Sequence, residues 1–146
     1  MPRSGRRTGH EQAVHDRAIE LIARQRYSFT DKITYRNPGE RRTMSAGRVG
    51  GKDQYPDIVV VSRLRKALLI CEVETESSVT EEEADQWQDY ASLGVPFYLY
   101  VPSSKVVEAE SLIHARGLSG AIRGLRAYSL GRADITIEDV WDGQAQ

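Results

Sequence analysis

The chain has 146 residues, of which 40% are hydrophobic and 28% charged, with a formal net charge of −1. That is one domain with enough apolar material for a core. A single cysteine excludes an intrachain disulfide and a cysteine zinc site, no apolar run is long enough for a membrane span, and the start of the chain has no apolar signal segment, so a cytoplasmic protein is expected. The near-neutral total conceals a polarised chain. Every charged residue between 71 and 90 is acidic, whereas residues 32–52 carry Lys32, Arg36, Arg41, Arg42, Arg48 and Lys52 against Glu40 alone.

Residues 1–9 hold Arg3, Arg6 and Arg7 without an acid and read as a flexible basic arm, leaving 10–146 as one domain. Val14, Ala18, Leu21 and Ile22 recur at helical spacing, which predicts a helix over 10–26 with that stripe inward. Residues 28–35 read as a strand, and the polar, basic, glycine-rich stretch 36–54 as a mobile loop. Two nearly continuous apolar runs follow, Asp57–Val61 and Ala67–Thr75, and predict a hairpin covered on both faces. Thr80 with Glu83 has the form of a capping box, opening a helix that Gly94 ends. Phe97–Val101 is a strand. A further helix starts at Pro102-Ser103-Ser104, buries Val106, Ala109 and Ile113, and stops before Gly117. Residues 125–130 add a strand, and 135–141 are ambiguous between strand and helix. The order predicts an α/β fold, a mixed central sheet flanked by helices.

Two acidic clusters stand out against the apolar runs. Pro56-Asp57 opens the first strand, and Glu72-Val73-Glu74 closes the second. Pairing Ser62 with Ala67 across the turn places Asp57 opposite Glu72, with side chains ~5 Å apart at Cβ. Glu74 projects from the same face as Glu72, while Cys71 and Val73 point the other way, Cys71 as a buried core thiol. Carboxylates at the ends of buried strands are costly unless a cation lies among them, and Mg²⁺, with ligands at ~2.1 Å, fits that span. Trp87 shares a stripe with Ala84 and Ala91 and reads as core. Glu81-Glu82-Glu83 reads as acidic charge matched to a helix N-terminus, and His15, one turn after Glu11, as a surface residue on the helix or, alternatively, as a side chain that approaches the acidic site.

Pro56-Asp57 followed by Glu72-Val73-Glu74 resembles the PD-(D/E)xK nuclease superfamily, whose restriction-endonuclease-like αβββαβ core matches the element order read over 11–101. The resemblance implies that Asp57 and Glu72 bind catalytic Mg²⁺ or Mn²⁺ with the carbonyl of Val73, and that Glu11 on the first helix joins them. Gln86 and Tyr90, one helical turn apart, resemble the Gln-x-x-x-Tyr motif of the RecB-like branch and would shape the site or touch phosphate. Glu74 stands where the family has lysine. A carboxylate there serves as a general base or a further ligand, with Lys52 or Lys105 as substitutes for the missing cation. The implied activity is metal-dependent hydrolysis of DNA phosphodiester bonds, with Asp57, Glu72 and Glu74 catalytic and Arg3, Arg6, Arg7, Arg41, Arg42, Arg48 and Lys52 on the DNA backbone. Nucleases of this size commonly act as homodimers. The rival expectation is a nuclease fold without catalysis, kept for DNA binding or for assembly in a complex.

Overall fold

The computed structural model describes residues 8–39 and 41–143. Arg3, Arg6 and Arg7 therefore lie outside the described residues. Helix α1 (Gly9–Arg26) starts on a capping box, in which the Thr8 hydroxyl accepts from Glu11 N–H and the Glu11 carboxylate accepts from Thr8 N–H. Strand β1 (Ile33–Arg36) follows, then the short pair β2 (Arg48–Val49) and β3 (Lys52–Asp53). Next come β4 (Ile58–Val61), β5 (Ala67–Val73), α2 (Glu81–Ala91), β6 (Phe97–Pro102), a 3₁₀ turn, α3 (Val106–Ala115), β7 (Gly124–Leu130) and β8 (Ile135–Asp142).

Six strands make one mixed sheet in the order β1-β4-β5-β6-β7-β8. The β5–β6 and β6–β7 pairs are parallel and the others antiparallel. Each parallel step is bridged by a helix, and α2 and α3 pack on the same face through Ala84, Trp87, Tyr90, Ala109 and Ile113. The other face is covered by Ala18, Ile19, Ile22 and Ala23 of α1. Alternation along β5 therefore sends Ile70 to the α2 side and Cys71 and Val73 to the α1 side, each fully buried. Both faces of β4 are closed, as its unbroken apolar run requires. No helix among the described residues is long and apolar enough to cross a membrane.

Four expectations need correction. The inward stripe of α1 is His15, Ala18, Ile19, Ile22 and Ala23, so Val14 and Leu21 are only half-buried. The helix turns to bring an imidazole inward, at the expense of two aliphatic side chains. The strand placed over 28–35 begins only at Ile33, after a bend at Thr30–Lys32. The stretch 36–54 contains the β2–β3 hairpin, closed by Gly50 and Gly51 at φ of 57° and 79°, the left-handed pair that a two-residue hairpin turn requires. The β4–β5 register matches the expectation from Ile58↔Cys71 to Val60↔Leu69, then shifts so that Val61 meets Ala67. Ser62 N–H accordingly bonds the Lys66 carbonyl at 2.8 Å. The ambiguous tail is strand β8.

Beneath α1, the hydroxyls of Tyr27 and Tyr100 share a 2.7 Å hydrogen bond beside Cys71. Burial pushes the Cys71 thiol up to about 12 and raises both tyrosines as well. An unfolded thiol ionises near about 8.5, so the folded form gains stability by keeping its proton. That contribution is whole below the unfolded value and is lost as the pH rises towards the folded one. The urea midpoint should fall steadily across this alkaline window, and less steeply in Cys71→Ala. An unchanged midpoint through it would contradict the burial of this trio.

Candidate metal centre

The acidic residues gather at the C-terminal end of β5, where a parallel sheet directs its strand ends towards a helix N-terminus. Asp57 and Glu72 are 2% and 0% exposed, and Glu74 is also 0% exposed. Asp57 and Glu72 tie the hairpin end by exchanging side-chain to main-chain bonds. Asp57 N–H donates to Glu72 Oε1 at 3.2 Å, and Val73 N–H donates to Asp57 Oδ2 at 2.8 Å. These bonds replace the ladder where β4 begins, so each carboxylate is held by the other strand.

Glu74 is fixed on both oxygens. Ser78 Oγ donates to Oε1 at 2.7 Å and Trp87 Nε1–H to Oε2 at 2.7 Å. Its backbone is held as well, with N–H on the Tyr100 carbonyl and its own carbonyl accepting from the Tyr128 hydroxyl. Trp87 is the core residue its stripe predicts, and its indole N–H also orients a site carboxylate.

Glu83 is the residue the sequence reading left out. It lies in the first turn of α2, where Thr80 Oγ1 accepts its N–H, but its side chain is 6% exposed and turns towards the sheet. Glu72, Glu74 and Glu83 each offer a carboxylate oxygen within 4.8 Å of the others. Two oxygens on one ion at ~2.1–2.6 Å lie at most ~5 Å apart, so this group can hold a metal ion. An all-carboxylate donor set suits a hard divalent cation. The signal available in the sequence was its spacing, since Glu83, Trp87 and Tyr90 fall on one face of α2.

Asp57 adjoins this group through Glu72 and is engaged from the opposite side by α1. His15, 1% exposed, places Nε2 at 3.1 Å from Asp57 Oδ2, so the ring donates to the carboxylate. Gln12 Nε2 lies 3.4 Å from the other ring nitrogen, Nδ1, and donates to Asp16 at 2.7 Å. His15 is therefore no surface residue; it follows the alternative reading and approaches the site. Glu11, one turn earlier, is committed to the cap of α1 and to the Ser77 hydroxyl.

Gln86 and Tyr90 act on the segment that leads into Asp57. Gln86 Nε2 donates to Gln54 Oε1 at 3.1 Å, and the Tyr90 hydroxyl to the Tyr55 carbonyl at 3.4 Å. Asn37, also missed, anchors the same segment. Its N–H bonds the Asp57 carbonyl, its Nδ2 the carbonyls of Pro56 and Met44, and its Oδ1 accepts from Thr43 and Met44. Arg41, Arg42, Arg48 and Lys52 are exposed on the loop so anchored, with Arg48 paired to Asp53 at 3.2 Å and Arg42 lying over the Tyr55 ring. Lys105 lies half-buried in the 3₁₀ turn after β6. Comparison of the chain with protein-family models, with curated proteins and with solved structures finds no match.

Asn37 is 3% exposed and serves five main-chain groups. Replacing it strands several of them in a dry setting at ~1–3 kcal/mol apiece, softened by water entering from the loop side. Asn37→Ala should lower the unfolding free energy by about 3 kcal/mol in urea titration. A loss below about 1 kcal/mol would show that the loop keeps its form without this anchor.

Proposed function

We propose that the protein is a metal-dependent nuclease that hydrolyses DNA phosphodiester bonds, on a core of the PD-(D/E)xK kind. The observation that carries this reading is the buried Glu72–Glu74–Glu83 group, joined through Glu72 to Asp57 at the C-terminal end of β5. Glu72, Glu74 and Glu83 would hold Mg²⁺ or Mn²⁺, with Asp57 and the Val73 main chain beside them. When bound, the ion supplies positive charge to the phosphodiester as negative charge develops on it. His15 keeps the Asp57 carboxylate oriented, and Trp87 and Ser78 keep that of Glu74. With both its oxygens accepting hydrogen bonds, Glu74 is better suited to ligation than to taking a proton from water. Gln86 and Tyr90 shape the site by holding Gln54 and Tyr55. Arg41, Arg42, Arg48 and Lys52 supply the charge that draws a polyanion to the acidic centre.

One observation favours the rival reading, a nuclease core used for DNA binding or assembly without catalysis: a neutral Trp87 and Ser78 satisfy the residue that stands where a lysine would be. Two measurements separate the readings. Millimolar Mn²⁺ should raise the melting temperature of the wild type, by mass action on the folded state, and Glu83→Gln should abolish that rise. A wild type indifferent to Mn²⁺ removes the metal centre and the nuclease with it. With plasmid DNA and Mg²⁺, Asp57→Ala should be inactive and Glu74→Ala, which removes a ligand, slower by up to about 10²-fold. A wild type that binds Mn²⁺ but cuts no form of DNA establishes the non-catalytic module, and cleavage gained by Glu74→Lys would then identify the missing lysine as the reason.

A further inference from the structure

The segment leading into Asp57 carries an aromatic, and the loop before it a guanidinium, whose pairing serves neither the sheet nor the acidic group. Tyr55 stands two residues before Asp57, and its ring is half-buried. The Arg42 guanidinium lies over that ring, 5.5 Å from its centroid, and Arg42 is itself exposed. A guanidinium in cation–π contact with a ring gives a flat, positively charged patch against which a nucleobase can lie, and every base has a face to offer.

The stack is held ready. Tyr90 fixes the Tyr55 carbonyl, Gln86 holds the Gln54 side chain, and Ala46 N–H and Gln54 N–H tie the two arms of the loop through the Gln54 and Gly47 carbonyls at 2.8 Å each. Asn37 fastens the stretch after Arg42 through Thr43 and Met44. Such a platform loses little freedom when a base settles on it. It is also of use only to a base whose face is free. Within a duplex each base is already stacked on its neighbours, and exposing one costs energy that a single strand does not spend.

We infer that Arg42 and Tyr55 form a stacking platform for an unpaired nucleotide on the segment that leads into Asp57, so that the substrate is single-stranded DNA or a strand end lifted from a duplex. This rests on the nuclease reading for its chemistry, but not for its test. Binding is measured in EDTA, by fluorescence anisotropy on the full chain, with a short oligothymidylate and with a blunt hairpin duplex. The wild type should bind the single strand at least about tenfold more tightly. Tyr55→Leu, which takes away the ring that holds the guanidinium, should reduce single-strand affinity by about tenfold and leave duplex affinity within about twofold. Tyr55→Phe should retain the wild-type preference. Arg42→Lys, which keeps the charge and loses the plane, should behave as Tyr55→Leu does.

Equal affinity for the two forms, binding to neither, or an equal loss for both in Tyr55→Leu would each overturn the inference. So would a Tyr55→Phe variant as weak as Tyr55→Leu. Plasmid cleavage and the Mn²⁺ melting shift are read separately. Single-strand preference without any cleavage upholds the platform and removes the nuclease. Duplex cleavage without the preference does the reverse.

Discussion

The exchange of bonds between Asp57 and the end of β5 is the contact on which the rest of the site depends. Each acid is held by the main chain of the opposite strand, Glu72 by Asp57 N–H and Asp57 by Val73 N–H. A buried carboxylate that receives main-chain donors costs far less than a bare one, and its direction is set by the strands and not by its own torsions. Everything else converges on that knot: α1 through His15, the basic loop through Asn37, and α2 through Gln86 and Tyr90 acting on Gln54 and Tyr55. Moving any of these elements would reach the acids through rigid, short connections.

Much of this was legible in the sequence because it follows simple periodicities. The unbroken apolar runs of β4 and β5 had to be covered on both faces, and a tight connection between them held the acids near one another although the turn itself is one residue shorter than expected. The bulge beyond Val60 lies on the turn side and leaves the acidic end in step. The alternation that set Glu72 and Glu74 apart from Cys71 and Val73 follows from strand geometry alone. The Gly50-Gly51 hairpin was not legible: its arms, Arg48-Val49 and Lys52-Asp53, are two residues each and largely charged, which gives no strand pattern beside the two glycines.

The residues that were not legible are polar groups whose partners are distant in the chain. His15 looks like a surface residue because helical periodicity weighs apolar side chains and ignores an imidazole whose carboxylate lies 42 positions away. Glu83 looks like charge placed at a helix start, which its main chain confirms. Only its side chain's burial against β5 makes it part of the acidic group. Asn37 precedes Pro38-Gly39, a pattern that reads as a turn and says nothing of the five groups it satisfies. Such contacts depend on how helices and loops are laid over the sheet, which the local sequence does not encode.

The sheet's outer strand has a consequence for how copies of the chain meet. β8 is eight residues long, lies at the margin of the sheet, and exposes Glu138 and Asp139 near its middle. Asp139 is held by Arg26 and Arg126 at 2.9 and 3.0 Å, so a second strand laid against this margin would meet Glu138 and a set of ion pairs already made within the molecule. The opposite margin, β1, offers only four residues and ends in Arg36. Continuous β-sheet between copies is therefore discouraged by polar, ion-paired side chains at one margin and by brevity at the other. The same side chains that tie β8 to α1 and β7 thus also shape what its free margin offers to a neighbour.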